Sequence, residues 1–371
     1  MVVAGEASAD QHAADLVAQL RQRSPDLRFF GMGGSRLAAE GLERIHDADE
    51  VGVMGIVEVL PKLRRILQVM ASLERAAKRR KPRCAILVDI PDFNLRLARR
   101  LKNLGIPVVY FISPMLWAWR PGRIESIAQV VDLMLCILPF EEALYRRAGV
   151  RVRYVGNPVL DQVPAPASVQ DFRSRLGLSV ERPTLTLLPG SREAEVRRIL
   201  PPMVESAKQL ALLHQDLQVV VPIAPSIDRG QVRAQFEGSG LKPELLDGQA
   251  PQAIGAADVA VVASGTATLE AALIGRPFVV VYKLAPVSYA IARLLVRVPH
   301  IALVNLIAGK RLVPELLQGE LTPQRLCAEV ERIWNSASER QEMTQGLASV
   351  RSALGGGGAA GKAADEVLAF L

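Results

Sequence analysis

Two short segments of this chain carry the residue types of a phosphate site. Leu188-Pro189-Gly190-Ser191-Arg192 and Ala263-Ser264-Gly265-Thr266-Ala267-Thr268-Leu269-Glu270 each follow an apolar, β-type run and each lead into a helical pattern. A strand that ends in small, hydroxyl-bearing residues and opens a helix leaves backbone N–H groups unpaired at the helix start. Those donors, with the helix dipole behind them, favour a phosphate. Arg192 adds a planar fork suited to phosphate oxygens. Glu270 stands one turn into its helix, where a carboxylate repels phosphate but can hold the two hydroxyls of a ribose. A nucleotide diphosphate is the ligand these residues suit. Two ordinary capped turns are the plainer alternative, and it fits either segment better than it fits the pair.

A carboxylate with a different task stands earlier. Cys84–Asp89 reads as a strand ending in Asp89, and Ile90-Pro91-Asp92-Phe93-Asn94 opens the next helix. The carboxyl end of such a strand is where a general base belongs, whereas helix capping suffices for Asp92. Gly5-Glu6-Ala7-Ser8-Ala9-Asp10 is another turn into a helix, suited to close approach of a substrate or to tight packing. Ser113–Arg120 carries Trp117 and Trp119 beside Arg120, an acceptor pocket or a covered domain edge. Gly31-Met32-Gly33-Gly34-Ser35-Arg36 lacks the spacing of a dinucleotide fingerprint or a P-loop. Asp47-Ala48-Asp49 spells a metal-binding Asp-x-Asp but lies in a polar loop, so surface acid is the better reading. The four histidines form no metal-ligand spacing and no Ser-His-Asp series.

These residues need elements to position them. A chain of 371 residues, half of them hydrophobic, calls for two α/β domains with large cores. Strand-like runs at 27–31, 84–89, 107–112, 133–138 and 152–155 alternate with helical patterns at 11–23, 95–104 and 140–147. The alternation restarts after Pro164–Ser168, with strands at 184–188, 218–222, 259–263 and 278–282. Helices fall at 196–214, 231–236 and 268–274. We expect two doubly wound, Rossmann-like domains facing a central cleft. The first spans 1–163 and the second 168–345, with a tail at 346–371 that packs back on the first domain or on a partner. The net charge of +7 asks for an acidic partner. Between Lys62 and Arg83 lie nine Lys or Arg and one acid, Glu74, while Leu60, Leu63, Leu67, Met70 and Leu73 recur at helical spacing. This is an amphipathic, basic helix fit for an anionic membrane surface or for an ordinary half-buried place. Nucleic acid is not expected, since no aromatic–basic interleaving accompanies the charge. The start has neither a basic region nor a long apolar one, no uncharged stretch is long enough to span a bilayer, and Cys84, Cys136 and Cys327 read as buried thiols. These features point to the cytoplasm.

Seven blocks in order resemble one family. They are Gly5-Glu6-Ala7-Ser8-x-Asp10, Met54-Gly55-x-x-Glu58-Val59-Leu60, Asp89-x-Pro91-Asp92-Phe93-Asn94, Ser113-Pro114-x-x-Trp117-Ala118-Trp119-Arg120, Leu188–Val196, Ser264–Glu270 and Asn305–Gln318. Together they are similar to the lipid-A-disaccharide synthases, from the first residues to about position 330. The resemblance implies a glycosyltransferase of the B fold that moves 2,3-diacylglucosamine from its UDP conjugate to the 6-hydroxyl of 2,3-diacylglucosamine 1-phosphate. UDP leaves, and the product is a β-1,6 disaccharide. It implies work at the inner face of the cytoplasmic membrane, which suits the basic helix. Asp89 matches the family's essential aspartate and would be the catalytic base. Ser191, Arg192, Ser264, Gly265, Thr266, Ala267, Thr268, Glu270 and Asn305 would hold the nucleotide, Glu270 at the ribose. Ser8, Asp10, Glu58, Asn94, Trp117 and Arg120 are the acceptor-side candidates. No metal or other cofactor is expected, because two helix starts and an arginine already face the leaving diphosphate, and a homodimer stays open. The turns alone also fit a UDP-N-acetylglucosamine 2-epimerase-like isomerase or a non-catalytic binding protein. The chain departs from the family at Ala9, where glycine is usual, and begins only four residues before Gly5, so its first strand should be short.

Overall fold

The computed structural model describes residues 1–51, 56–119, 122, 124–163, 168–296 and 298–371, with the main chain alone at 56–62, 116, 119, 287, 291, 292, 294 and 295. The chain divides into two compact units, Met1–Asp161 together with Gly356–Leu371, and Gln162–Gly355. The first is built on seven parallel strands: β1 (Val2–Ala4), β2 (Phe29–Gly33), β3 (Leu42–Asp47), β4 (Ala85–Val88), β5 (Val108–Phe111), β6 (Leu133–Cys136) and β7 (Val152–Tyr154). Their order is β3-β2-β1-β4-β5-β6-β7. Ala4 pairs with Val88 and Val88 with Phe111, so the strand ends lie level. The central strands are apolar on both faces, as a parallel sheet wrapped by helices requires.

The second unit repeats the plan with β8 (Thr184–Leu188), β9 (Gln218–Ile223), β10 (Glu244–Asp247), β11 (Val259–Ala263), β12 (Phe278–Tyr282) and β13 (Glu315–Leu317), ordered β10-β9-β8-β11-β12-β13. Each sheet reverses its winding once, between β1 and β4 in the first and between β8 and β11 in the second. In such sheets ligands bind beyond the carboxyl ends of the strands at that reversal. Asp89 and Arg192 stand in the turns after β4 and β8, and Glu270 in the first turn of the helix that follows β11.

The core of the first unit explains its discontinuous chain. The helix Ala7–Arg23 buries Ala9, Ala13, Leu16, Val17 and Leu20, and the last helix, Ala359–Phe370, adds Ala363, Ala364 and Val367 to the same core. Alanines on both helices allow close approach. Asp161 accepts the amides of Gly358 (2.7 Å) and Ala359 (3.2 Å), satisfying donors at the start of the last helix. The expected boundary at 345 is corrected by Ala337–Leu354, one unbroken helix of the second unit. It buries Leu347, Val350 and Leu354, and Arg351 donates to the Leu273 carbonyl at 2.7 Å. Only the segment from Gly356 returns to the first unit.

The basic helix runs from Ile56 to Arg80. Its stripe is not uniformly buried. Val69, Met70, Leu73, Ala76 and Ala77 face the core and the helix packs on Pro91–Asn103, whereas Leu63 and Leu67 are 38% and 45% exposed. No helix among the described residues is long and apolar enough to cross a membrane.

Candidate functional site

At the winding reversal of the first sheet, β4 ends in a strained elbow. Asp89 (φ 53°) and Ile90 (φ 44°) both take the left-handed conformation, which costs about 1–2 kcal/mol for each non-glycine residue. The surroundings hold it. The Asp89 amide donates to the Phe111 carbonyl at 3.1 Å, and the Asp89 carbonyl accepts the Asn94 side-chain amide at 2.8 Å and the Tyr110 hydroxyl at 2.5 Å. At about 1 kcal/mol each, these bonds offset the strain. Directly after β5, Ile112 (φ 65°) is a third left-handed, non-glycine residue at this sheet edge. Strain of this kind gathers where a group must be held in one pose. Burial pushes the Asp89 carboxyl above its ordinary value, partly opposed by the Ile90 amide. A carboxylate of raised basicity is a stronger proton acceptor near neutral pH. Gly5, at the end of β1, lies against this elbow, since a Cβ there would sit 2.5 Å from the Ile90 side chain.

The second sheet presents a different surface at its reversal. A cavity of about 500 Å³ lies over the carboxyl ends of β8, β9, β10 and β11, a volume suited to a nucleotide-sized ligand. Gly190, Ser191 and Arg192 line it from one side and Ser264, Gly265, Thr266, Ala267 and Glu270 from another. Arg192 is the N-cap of Glu193–Leu213, and Thr266 that of Ala267–Ile274. The amides of Arg192, Glu193 and Ala194, like those of Gly265, Thr266 and Ala267, take no backbone partner among the described residues. Arg192 from the first set, and Gly265, Thr266 and Ala267 from the second, edge one cavity. The Arg192 guanidinium is exposed and pairs with Glu195 at 2.9 Å. Gly190 (φ 115°) leaves room for that carboxylate, for a Cβ would stand 2.7 Å from Glu195 Oε2. Burial raises the Glu270 carboxyl above its ordinary value.

Several expected contacts fall elsewhere. Thr268 is fully buried and its hydroxyl donates to the Gly265 carbonyl at 2.8 Å, so it shapes the turn rather than facing a phosphate. The Ser264 amide is held by the Val281 carbonyl, leaving its side chain at the cavity wall. Asn305 is also fully buried. It donates to Val313 O and Glu315 Oε1 and accepts the Leu312 and Val313 amides, a clamp on its own loop and not a nucleotide contact. Asp10 is spent on the amides of Gly34, Arg36 and Leu37, capping the helix Ser35–Ala39. That explains the Gly31–Arg36 turn, where a Cβ on Gly34 would meet the Asp10 carboxylate at 2.6 Å.

Asn94 is fully buried under the elbow, and its amide donates to the Val88 and Asp89 carbonyls. Trp117 is 9% exposed, with its indole N–H donating to Glu141 at 2.9 Å and its ring edge-on to Phe140. It anchors its loop from inside. Ser8 is exposed in the first turn of its helix, and Ala9 is packed in the core. The Glu58 side chain and Arg120 lie outside the described residues.

Sequence reasoning missed the far wall of the cavity, Pro222–Pro225 at the end of β9 and Gly248–Pro251 after β10. The signal was present in Gly248-Gln249-Ala250-Pro251, a turn with proline in the first helical turn. It also missed Tyr110 and Glu141. Nothing marks a tyrosine inside an apolar strand as the partner of the next strand's terminal residue.

A family model described as lipid-A-disaccharide synthetase matches residues 1–355. The lipid-A-disaccharide synthase of Myxococcus xanthus is 60% identical over 371 residues, covering 100% of this chain and 97% of the relative. That of Syntrophus aciditrophicus is 45% identical over 374 residues, with the same coverage. Among solved structures, a UDP-N-acetylglucosamine 2-epimerase from Neisseria meningitidis bound to UDP-GlcNAc superposes with a TM-score of 0.62 at 13% identity, over 100% of this chain and 99% of that one. Acinetobacter baumannii MurG gives 0.62 at 16%, over 100% and 98%. At these identities the structures speak for the fold alone: two doubly wound domains of the glycosyltransferase B type.

Proposed function

The chain belongs to the lipid-A-disaccharide synthase family and is a glycosyltransferase, and from that premise we propose how its own residues divide the reaction. A sugar nucleotide and a lipid-linked acceptor are the substrates. We assign them as UDP-2,3-diacylglucosamine and 2,3-diacylglucosamine 1-phosphate. The donor sugar is α-linked to UDP and the product β-linked, so one in-line displacement suffices. Asp89 takes the proton from the acceptor 6-hydroxyl as the oxygen attacks the anomeric carbon. Charge gathers on the departing UDP, where Arg192 and the bare amides of the two helix starts offset it. Glu270 holds the ribose hydroxyls. This donor set supplies the neutralisation itself, so the reading includes no metal ion or other cofactor.

The observation that carries this reading is a basic carboxylate at the winding reversal of one sheet and a donor-edged cavity at that of the other. Membrane association belongs to the same proposal. Leu63 and Leu67 are partly exposed on a helix that also carries Arg64, and an anionic lipid surface would cover the leucines and attract the arginine. We place the protein peripherally at the inner face of the cytoplasmic membrane.

The test is incubation with UDP-diacylglucosamine, with and without the diacylglucosamine 1-phosphate acceptor. UDP release that requires acceptor is the expected result; epimerised UDP-sugar formed without acceptor overturns it. An isomerase on the same fold, or a non-catalytic binding protein, is not favoured by the family match.

A further inference from the structure

We infer that the Tyr110 hydroxyl and the Asn94 side-chain amide are positioning groups for Asp89, clamping its main-chain carbonyl so that the left-handed elbow, and with it the carboxylate, keeps one pose. The inference rests on Asp89 being the base.

The geometry is specific to this place. Two donors from separate elements, β5 and the helix Pro91–Asn103, converge on one carbonyl oxygen at 2.5 and 2.8 Å. The Asn94 amide also reaches the Val88 carbonyl at 3.1 Å, fixing the last peptide of β4 together with the elbow. Both side chains are completely buried, so neither can touch a substrate. A phenylalanine would fill the core at 110 equally well. The hydroxyl is there for the carbonyl. Burial, reinforced by the Asp89 carboxylate and then by Tyr145 and Asp92, keeps the Tyr110 phenol protonated well above its ordinary value, so it remains a donor. Without a glycine at 89 or 90, the elbow depends on these side chains to stay left-handed.

Tyr110→Phe tests this by removing one oxygen. We expect kcat to fall by about ten- to a hundredfold, the scale of a small misplacement of a reacting group, with both KM values within about twofold. As the elbow relaxes, the Asp89 carboxyl regains water and its pKa drops, so the acid limb of the kcat profile moves to lower pH. Asn94→Ser, which withdraws the other donor, should give the same signature. UDP affinity and circular dichroism report whether each variant is folded. A kcat within twofold of the parent overturns the inference. So does a loss that only tracks the folded fraction and leaves the acid limb in place. Asp89→Asn is run beside them. If it turns over at the parent rate, the base assignment itself fails; if it is inactive while Tyr110→Phe is fully active, only the positioning role fails.

Discussion

The carboxyl ends of the two sheets solve opposite problems with opposite materials. At the end of β4 and β5 the chain forces Asp89, Ile90 and Ile112 into left-handed backbone and holds the elbow with buried side chains. At the end of β8 and β11 it uses Gly190 and Gly265, keeps side chains small, and leaves main-chain donors bare. Holding one carboxylate in a fixed pose takes specific, bulky contacts. Receiving a polyanion takes open backbone, which any bulky residue would cover. The difference is one of material: strained backbone clamped by buried side chains at one sheet end, glycine and amides without backbone partners among the described residues at the other.

The comparison can be broken by substitution. Asp89→Asn should cost about a hundred- to ten-thousandfold in turnover while calorimetry finds UDP binding intact; weakened UDP binding would mean the two ends do not divide the work as described. Arg192→Ala should cost about a hundredfold in turnover and, unlike Asp89→Asn, also weaken UDP. A third change probes the buried acids of the first unit. Burial raises Glu141 to about 7, opposed by its bonds from Trp117 and Leu138. Between the ordinary value of 4.5 and 7 the folded chain keeps a proton that the unfolded chain has lost, so stability falls as pH rises through that window. Glu141→Gln should remove up to about 3 kcal/mol of that dependence, read as a flattened urea midpoint between pH 4.5 and 7. The smallest effect is expected at Leu63 and Leu67. Replacing both with serine should change stability by less than about 0.5 kcal/mol yet reduce sedimentation with anionic vesicles several-fold; unchanged sedimentation removes this helix from the membrane reading.

What was legible in the sequence follows burial. β8, β11 and β12 match their apolar runs residue for residue, because central parallel strands are apolar on both faces. β3, β10 and β13 gave no signal: the first two mix exposed polar residues with buried ones, and β13 is three residues long. Arg192 and Glu270 line one cavity because turn chemistry is local and their two turns follow the neighbouring strands β8 and β11. Asp10, Asn94, Thr268 and Asn305 have residue types that suit a ligand, yet each bonds the main chain, an option open to any small polar side chain in a turn. Spacing cannot tell the two apart; only the partner can.

The return of Ala359–Phe370 to the first unit has a consequence in time. A ribosome makes the first unit's seven strands early, but the helix that completes their core arrives only after the whole of Gln162–Gly355 has been synthesised. At about 5–20 residues per second, that interval is on the order of ten to forty seconds. Throughout it the helix Ala7–Arg23 lacks its neighbour, while the second unit gains its last strand, β13, before that neighbour is made. The domain whose strands are translated first therefore completes its core only after the other domain has been made.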